Sequence, residues 1–180
     1  MRRFALGLVL AGVVTLPRVA RADRGDVALS VEAGYALVAV DTREPSGAAV
    51  AGSYLRGWND AIALRLTGSY SLHAATEAPG KASGPLHVAS ATAGVTYAFD
   101  YLRIIPFLEA SVGGLYLHGP DGIDSGVRAT FELGVGADVL ESRTFSWGFV
   151  ARMQSFLPDA DSAPVYTYFG PRLTWRWNKY

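Results

Sequence analysis

The sequence predicts an all-β fold in which eight antiparallel strands, joined in up-and-down order, close into a barrel. From Asp23 onward the 180-residue chain divides into segments of about 10 to 14 residues whose side chains alternate between two faces, the period of a strand. The links between segments alternate in length, as turns at the two ends of a barrel do. Nearly every segment has an interior glycine (Gly34, Gly52, Gly68, Gly94, Gly113, Gly134, Gly148 and Gly170), which weakens a flat sheet but permits a tightly curved one.

The first segment spans 26–40 and sets Glu32 on its polar face. The second, 47–57, alternates least regularly: Val50 and Tyr54 share parity with Arg56, so its facing stays open. The third, 61–72, sets Ile62, Leu64, Leu66, Tyr70 and Leu72 against Arg65, Thr67, Ser69 and Ser71. The fourth, 87–98, and the fifth, 103–116, follow, the latter with Glu109 on its polar face. The sixth, 126–139, is the clearest: Val127, Ala129, Phe131, Leu133, Val135, Ala137 and Val139 oppose Arg128, Thr130, Glu132, Gly134, Gly136 and Asp138. The seventh, 145–157, carries Arg152, and the eighth, 165–177, carries Arg172 and Arg176. Short links at 58–60, 99–102 and 141–144 mark one end; longer or more polar links at 41–46, 73–86, 118–125 and 158–163 mark the other.

Residues 1–22 stand apart from this pattern. Arg2 and Arg3, the apolar run from Phe4 to Leu16 and the small-x-small Ala20-Arg21-Ala22 predict an export signal cleaved after Ala22, with 23–180 as one barrel domain. The apolar run, about 13 residues, is shorter than the roughly 20 of a membrane-spanning helix. Cleavage would leave 12 basic against 16 acidic residues, a formal charge of −4, which argues against a nucleic-acid partner. Without cysteine there is neither a disulfide framework nor a lipid-modified N-terminal cysteine.

Hydrophobic residues make up 50% of the chain and charged residues 18%, yet no apolar run beyond residue 22 is long enough for a spanning helix. The chain is therefore soluble or enters a membrane as strands. A soluble barrel turns its apolar face inward, a membrane barrel outward. Here the polar face mixes Arg and Glu with Gly, Ser and Thr, a set that packs a narrow lumen, and beyond residue 22 the only lysines are Lys81 and Lys179. A water-facing surface carries more Lys and Glu, so a transmembrane β-barrel is predicted. All four tryptophans, Trp58, Trp147, Trp175 and Trp177, fall near the short-turn end with Tyr97, Phe99, Tyr101 and Phe145, the placement of an interfacial girdle. Tyr35, Tyr70, Tyr116 and Tyr166 lie near the long-loop ends, where a second girdle would sit. Short turns inside and longer loops outside would place both termini in the periplasm.

Two segments carry a family resemblance. Pro106-Phe107-Leu108-Glu109-Ala110-Ser111-Val112-Gly113-Gly114-Leu115-Tyr116 has a proline, an aromatic, then small and glycine-rich positions. The closing segment, Tyr168 to Trp177, has a glycine, hydrophobic, aromatic spacing at Gly170, Leu173 and Trp175. In these the whole of 23–180 resembles the small outer-membrane β-barrel family, the eight-stranded relatives of the transmembrane domain of outer membrane protein A. The resemblance implies that Gly170, Leu173 and Trp175 form the signal read by the barrel-assembly machinery. It also implies a monomer among outer-membrane lipids and lipopolysaccharide. Such chains usually end on the outward aromatic, whereas Asn178-Lys179-Tyr180 follows here and Tyr180 falls off the parity of Trp175 and Trp177.

The inward face is expected to carry a lumen ion-pair network of Glu32, Arg65, Glu109, Arg128, Glu132, Asp138, Arg152, Arg172 and Arg176, with the side of Arg56 open. Folding the sixth segment onto the seventh brings Glu132 close to Arg152, and folding the fifth onto the sixth brings Glu109 toward the same level. Such a cluster is a gate or a charge-neutral plug; an eight-stranded barrel is just wide enough for side chains to fill, which favours the plug. His73, His87 and His118 sit at strand ends or in loops on the long-loop side, where lipid A chemistry would occur. The His-x-Ser spacing of the lipid A deacylase family is missing, because Ala75, Ala89 and Pro120 hold the third positions, and only a triad from separate loops would remain. No phosphate loop, zinc-ligand cluster or dinucleotide fingerprint occurs, so no cofactor or metal is expected. The loops carry Asp41, Glu44, Glu77, Asp121, Asp124, Asp159 and Asp161 against Arg43 and Lys81, an acidic rim able to hold divalent cations against lipopolysaccharide phosphates. The expected role is structural or surface-interacting and non-catalytic, with a lipid A-modifying enzyme or a narrow solute pore as alternatives.

Overall fold

A computed structural model describes residues 25–39, 45–74, 84–99, 103–119, 125–157 and 166–177. The expected export signal, Tyr101, the acidic rim and Tyr180 lie outside them. Eight strands follow in order: β1 (Val27–Val38), β2 (Ser46–Gly57), β3 (Ile62–His73), β4 (Leu86–Ala98), β5 (Ile104–His118), β6 (Gly126–Leu140), β7 (Phe145–Phe156) and β8 (Tyr166–Trp177). Each pairs antiparallel with the next, and β8 closes on β1 into a barrel in sequence order. Closure removes the open sheet edge among the described strands.

The strands turn polar groups inward and apolar groups outward. Leu66, Val112, Val135 and Phe149 stand exposed, whereas Arg65, Glu109, Glu132 and Asp138 are each no more than 2% exposed. The facing of β2 is set by its inner contacts. Ser53 bonds Thr67 of β3 across the lumen wall at 2.8 Å, so Val50, Tyr54 and Arg56 point outward.

Curvature accounts for some glycines and not for others. At Gly113 a Cβ would lie 2.1 Å from the Ala91 carbonyl oxygen, and at Gly34 one would lie 2.3 Å from that of Phe169, so the coiled strands approach too closely for any side chain. Gly68 has nothing within 4 Å of such a Cβ, and its neighbour Gly52 has only the Ser30 carbonyl oxygen at 3.9 Å. Both face outward, and tight curvature does not require either.

Candidate functional site: the closed lumen

Strand register decides which charges meet. Glu109 on β5 lies opposite Gly134 on β6, which lies opposite Arg152 on β7. Gly134 has no side chain, and a Cβ there would sit 2.9 Å from Glu109 Oε2 and 3.1 Å from Arg152 Cγ, so the carboxylate and guanidinium meet across it. Arg152 Nε donates to Glu109 Oε2 at 2.7 Å, and its Nη2 donates to Glu32 Oε1 at 2.7 Å while Nη1 bonds the other Glu32 oxygen. Arg65 reaches in from β3: Nη1 donates to Glu109 Oε2 at 2.7 Å, Nη2 donates to Ser111 Oγ at 2.8 Å, and the same nitrogen pairs with Glu132. Arg172 adds a contact to Glu109 Oε1 at 3.2 Å, making Glu109 the hub of three guanidinium groups.

A second, looser group lies toward the short-turn end. Asp138 has Arg176 at 3.4 Å and Arg172 at 3.9 Å, with the Ser146 and Thr174 hydroxyls donating at 3.4 and 3.5 Å. Among the described residues, the ion pairs of the two groups join four carboxylates, Glu32, Glu109, Glu132 and Asp138, to four guanidinium groups, Arg65, Arg152, Arg172 and Arg176, and Asp26 lines the cavity beside Arg176. Pairing is the condition for keeping ions where water is scarce.

Two details of the expected network are set by register. Glu132 does lie near Arg152, with Nε at 4.0 Å, but it sits opposite Gln154, whose Nε2 donates to it at 2.6 Å, and its nearer cation is Arg65 across the lumen. Arg128 makes no ion pair among the described residues. It lies nearer the loops, where its guanidinium stacks 5.4 Å above the Phe156 ring, because the lumen around it is apolar.

That apolar stretch was not legible as a lumen feature in the alternation. In the long-loop half, Val38, Leu86, Val88, Leu115, Leu117 and Phe156 pack inward with Tyr166 and Tyr168 into one buried cluster. Its trace in the sequence is that both parities turn apolar, as in Tyr35-Ala36-Leu37-Val38 and Leu115-Tyr116-Leu117. Tyr166 therefore belongs to the interior and not to an outer girdle, whereas Tyr35, Tyr70 and Tyr116 do face outward. At the opposite end a cavity of about 140 Å³, walled by Leu55, Ala63, Ala98, Ile105 and Phe107, ends against Asp138 and Arg172.

Of the short-turn aromatics, Trp58, Trp147, Trp175 and Trp177 are exposed; Tyr97 meets Phe99 edge-on at 4.7 Å, and Phe145 packs on Trp175 at 5.5 Å. Gly170 is buried in the lumen wall, while Leu173 and Trp175 face outward. The three histidines do not gather at one site. His73 is buried inside the barrel, where Nδ1–H donates to the Pro45 carbonyl at 3.0 Å and Nε2 accepts from the Ser71 hydroxyl at 2.9 Å. This Ser-x-His order is the reverse of the His-x-Ser spacing of the lipid A deacylase family. His87 and His118 instead point outward near the loops. No group of three or more His, Cys, Asp or Glu that could hold a metal ion occurs among the described residues.

No protein-family model and no curated protein sequence matches the chain. Solved structures do match its fold. Neisserial surface protein A aligns with a TM-score of 0.65 and 14% identity over 84% of this chain and 98% of that one. The outer membrane protein OprG from Pseudomonas aeruginosa aligns with a TM-score of 0.59 and 7% identity over 90% and 100%. The outer membrane enzyme PagL aligns with a TM-score of 0.52 and 16% identity over 83% and 97%. The chain thus has the fold of the small eight-stranded outer-membrane β-barrels, and at these identities the likeness is one of fold.

Proposed function

We propose that the chain is a monomeric outer-membrane barrel with a structural or surface-interaction role, neither catalytic nor conducting. The outward face supports this most. Leu29, Val31, Leu66, Val112, Val135 and Phe149 are exposed on one strand after another, whereas a protein in water keeps its exposed apolar patches small. Hydrocarbon solvates such a belt, and the closed ladder pairs strand backbone that lipid cannot. In this reading Trp58, Tyr97, Phe99, Tyr101, Phe145, Trp147, Trp175 and Trp177 sit at the periplasmic headgroups, and Arg56 extends along the surface to reach water. The signal in 1–22 exports the chain, Gly170, Leu173 and Trp175 are read during barrel assembly, both termini stay periplasmic, and the surroundings are outer-membrane lipid and lipopolysaccharide.

The lumen supports the non-conducting part. The ion-pair cluster and, above it, the apolar packing of Val38, Leu86, Leu115 and Leu117 leave an ion no hydrated route. The enzymatic reading draws on the Ser71–His73 hydrogen bond, but both residues are fully buried and the third partner is a neutral carbonyl where a hydrolase uses a carboxylate. Fractionation with the outer membrane and heat-modifiable migration test the location, and recovery as a soluble periplasmic monomer refutes it. Planar-bilayer recording run beside lipid A mass analysis tests the role. Unitary current steps would favour the pore, and a lipid A mass change abolished by Ser71→Ala would favour the enzyme.

A further inference from the structure

Two histidines outside the lumen network stand on the outward face at the long-loop rim. His87 of β4 and His118 of β5 are direct cross-strand partners, and their rings lie 6.2 Å apart. Each ring has its Nδ1 turned away from the other. His87 Nδ1 is 2.6 Å from the Tyr70 hydroxyl on β3, the strand on its far side. His118 Nδ1 is 3.5 Å from the hydroxyl of Ser125, the residue before β6, again on its far side. With Nδ1 of each ring directed to the strand on its far side, Nε2 is the nitrogen free to turn toward the space between them. Tyr116 stacks on His118, its ring 6.3 Å away and within 5° of parallel, and so limits the rotation of that imidazole.

We propose that His87 and His118 form a two-imidazole site for a late first-row divalent cation, of the zinc, nickel or copper class, bound through the two Nε2 atoms. Metal–imidazole bonds of about 2.0–2.1 Å put each ring centre roughly 3 Å from the ion, so two rings on one ion stand roughly 5 to 6 Å apart. The observed 6.2 Å closes to that range by a small ring rotation. Ligating histidines almost always donate from the second nitrogen to an oxygen, which fixes the tautomer that frees Nε2. The Tyr70 and Ser125 oxygens stand where that acceptor is needed. Imidazole donors select this class of ion over magnesium or calcium, which take oxygen ligands. Two protein ligands leave the remaining positions to water.

The test uses the full barrel in phospholipid nanodiscs, with 15N-labelled histidine, titrated with Zn²⁺ alone and compared with empty nanodiscs. One ion should bind per barrel and perturb Nε2 of both His87 and His118, while His73, sealed in the lumen, should not respond. His87→Gln and His118→Gln should each weaken binding by about tenfold or more, and the double variant should abolish it. Tyr70→Phe should weaken it less, and Mg²⁺ should not compete. Heat-modifiable migration confirms that each variant is folded. Binding unchanged in either glutamine variant, two independent single-histidine sites, or no response at the two Nε2 atoms would each overturn the proposal.

Discussion

Arg152 offers the sharpest test of the lumen. Its guanidinium is 3% exposed and, among the described residues, is the only cation paired with Glu32, while it shares Glu109 with Arg65 and Arg172. Arg152→Met therefore strands the Glu32 carboxylate but leaves Glu109 with two cations. Removing one partner of a buried pair costs about 3–5 kcal/mol, because the remaining charge is uncompensated. Glu32→Leu should be milder, about 1–3 kcal/mol, since Arg152 keeps Glu109 at 2.7 Å. In the double variant no carboxylate is stranded, so its loss should approach that of Glu32→Leu alone. Urea unfolding of the refolded barrel, followed by tryptophan fluorescence and by the heat-modifiable band, reads this out. With slopes of roughly 1–3 kcal/mol per molar urea, Arg152→Met should lower the midpoint by about 1 M or more. Glu132 with Arg152, 4.0 Å apart, serves as the comparison and should show much weaker coupling. If Arg152→Met and Glu32→Leu each cost under about 1 kcal/mol and add, the cluster is hydrated and the plug reasoning fails.

The outward face and the curvature give further tests. Phe131→Arg should cost roughly 2–4 kcal/mol in bilayer refolding titrations, because it puts a charge into hydrocarbon near mid-membrane; full tolerance would mean that the outward face meets water. Gly113→Ala, whose Cβ meets a backbone oxygen at 2.1 Å, should be destabilised by about 1–3 kcal/mol, whereas Gly68→Ala, facing open space, should stay near wild type in the same unfolding assay. Equal effects would show that the strands are less tightly coiled. Replacing Trp175 and Trp177 with Ser should lower the yield of heat-modifiable protein in cells, since the interfacial belt loses two outward aromatics at the barrel's closing strand. Normal yield would place the assembly signal elsewhere.

The strands were legible because one-face burial imposes a strict period of two. Their ends fall within two residues of the limits read from alternation, and even β5, which runs on to His118, keeps its alternation while pairing Leu117 with Gly126. Which polar residues share a face was equally local, since parity along a strand fixes it: Glu32, Arg65, Glu109, Glu132, Asp138, Arg152 and Arg172 all turn inward. β2 escaped this logic because its inward positions include Ala49 and Leu55 and its outward ones Gly52 and Arg56, which blurs the polarity contrast.

What parity cannot reach is distance across the barrel. A one-residue change of register moves every neighbour, so Glu132 faces Gln154 while Arg152 falls beside Gly134, and the nearer cation of Glu132 comes from β3, 67 residues away in sequence. The apolar closure above the ion pairs was hidden for the same reason: an inward leucine and an outward leucine look alike until the strand wall places one of them in the lumen. The Ser71–His73 contact and the opposed histidines at the rim likewise exist only once the ladder is drawn. The sequence by itself determined the architecture and the two faces, because these follow from the pleat; the partners depended on closure and register, which bring residues together that no local pattern connects.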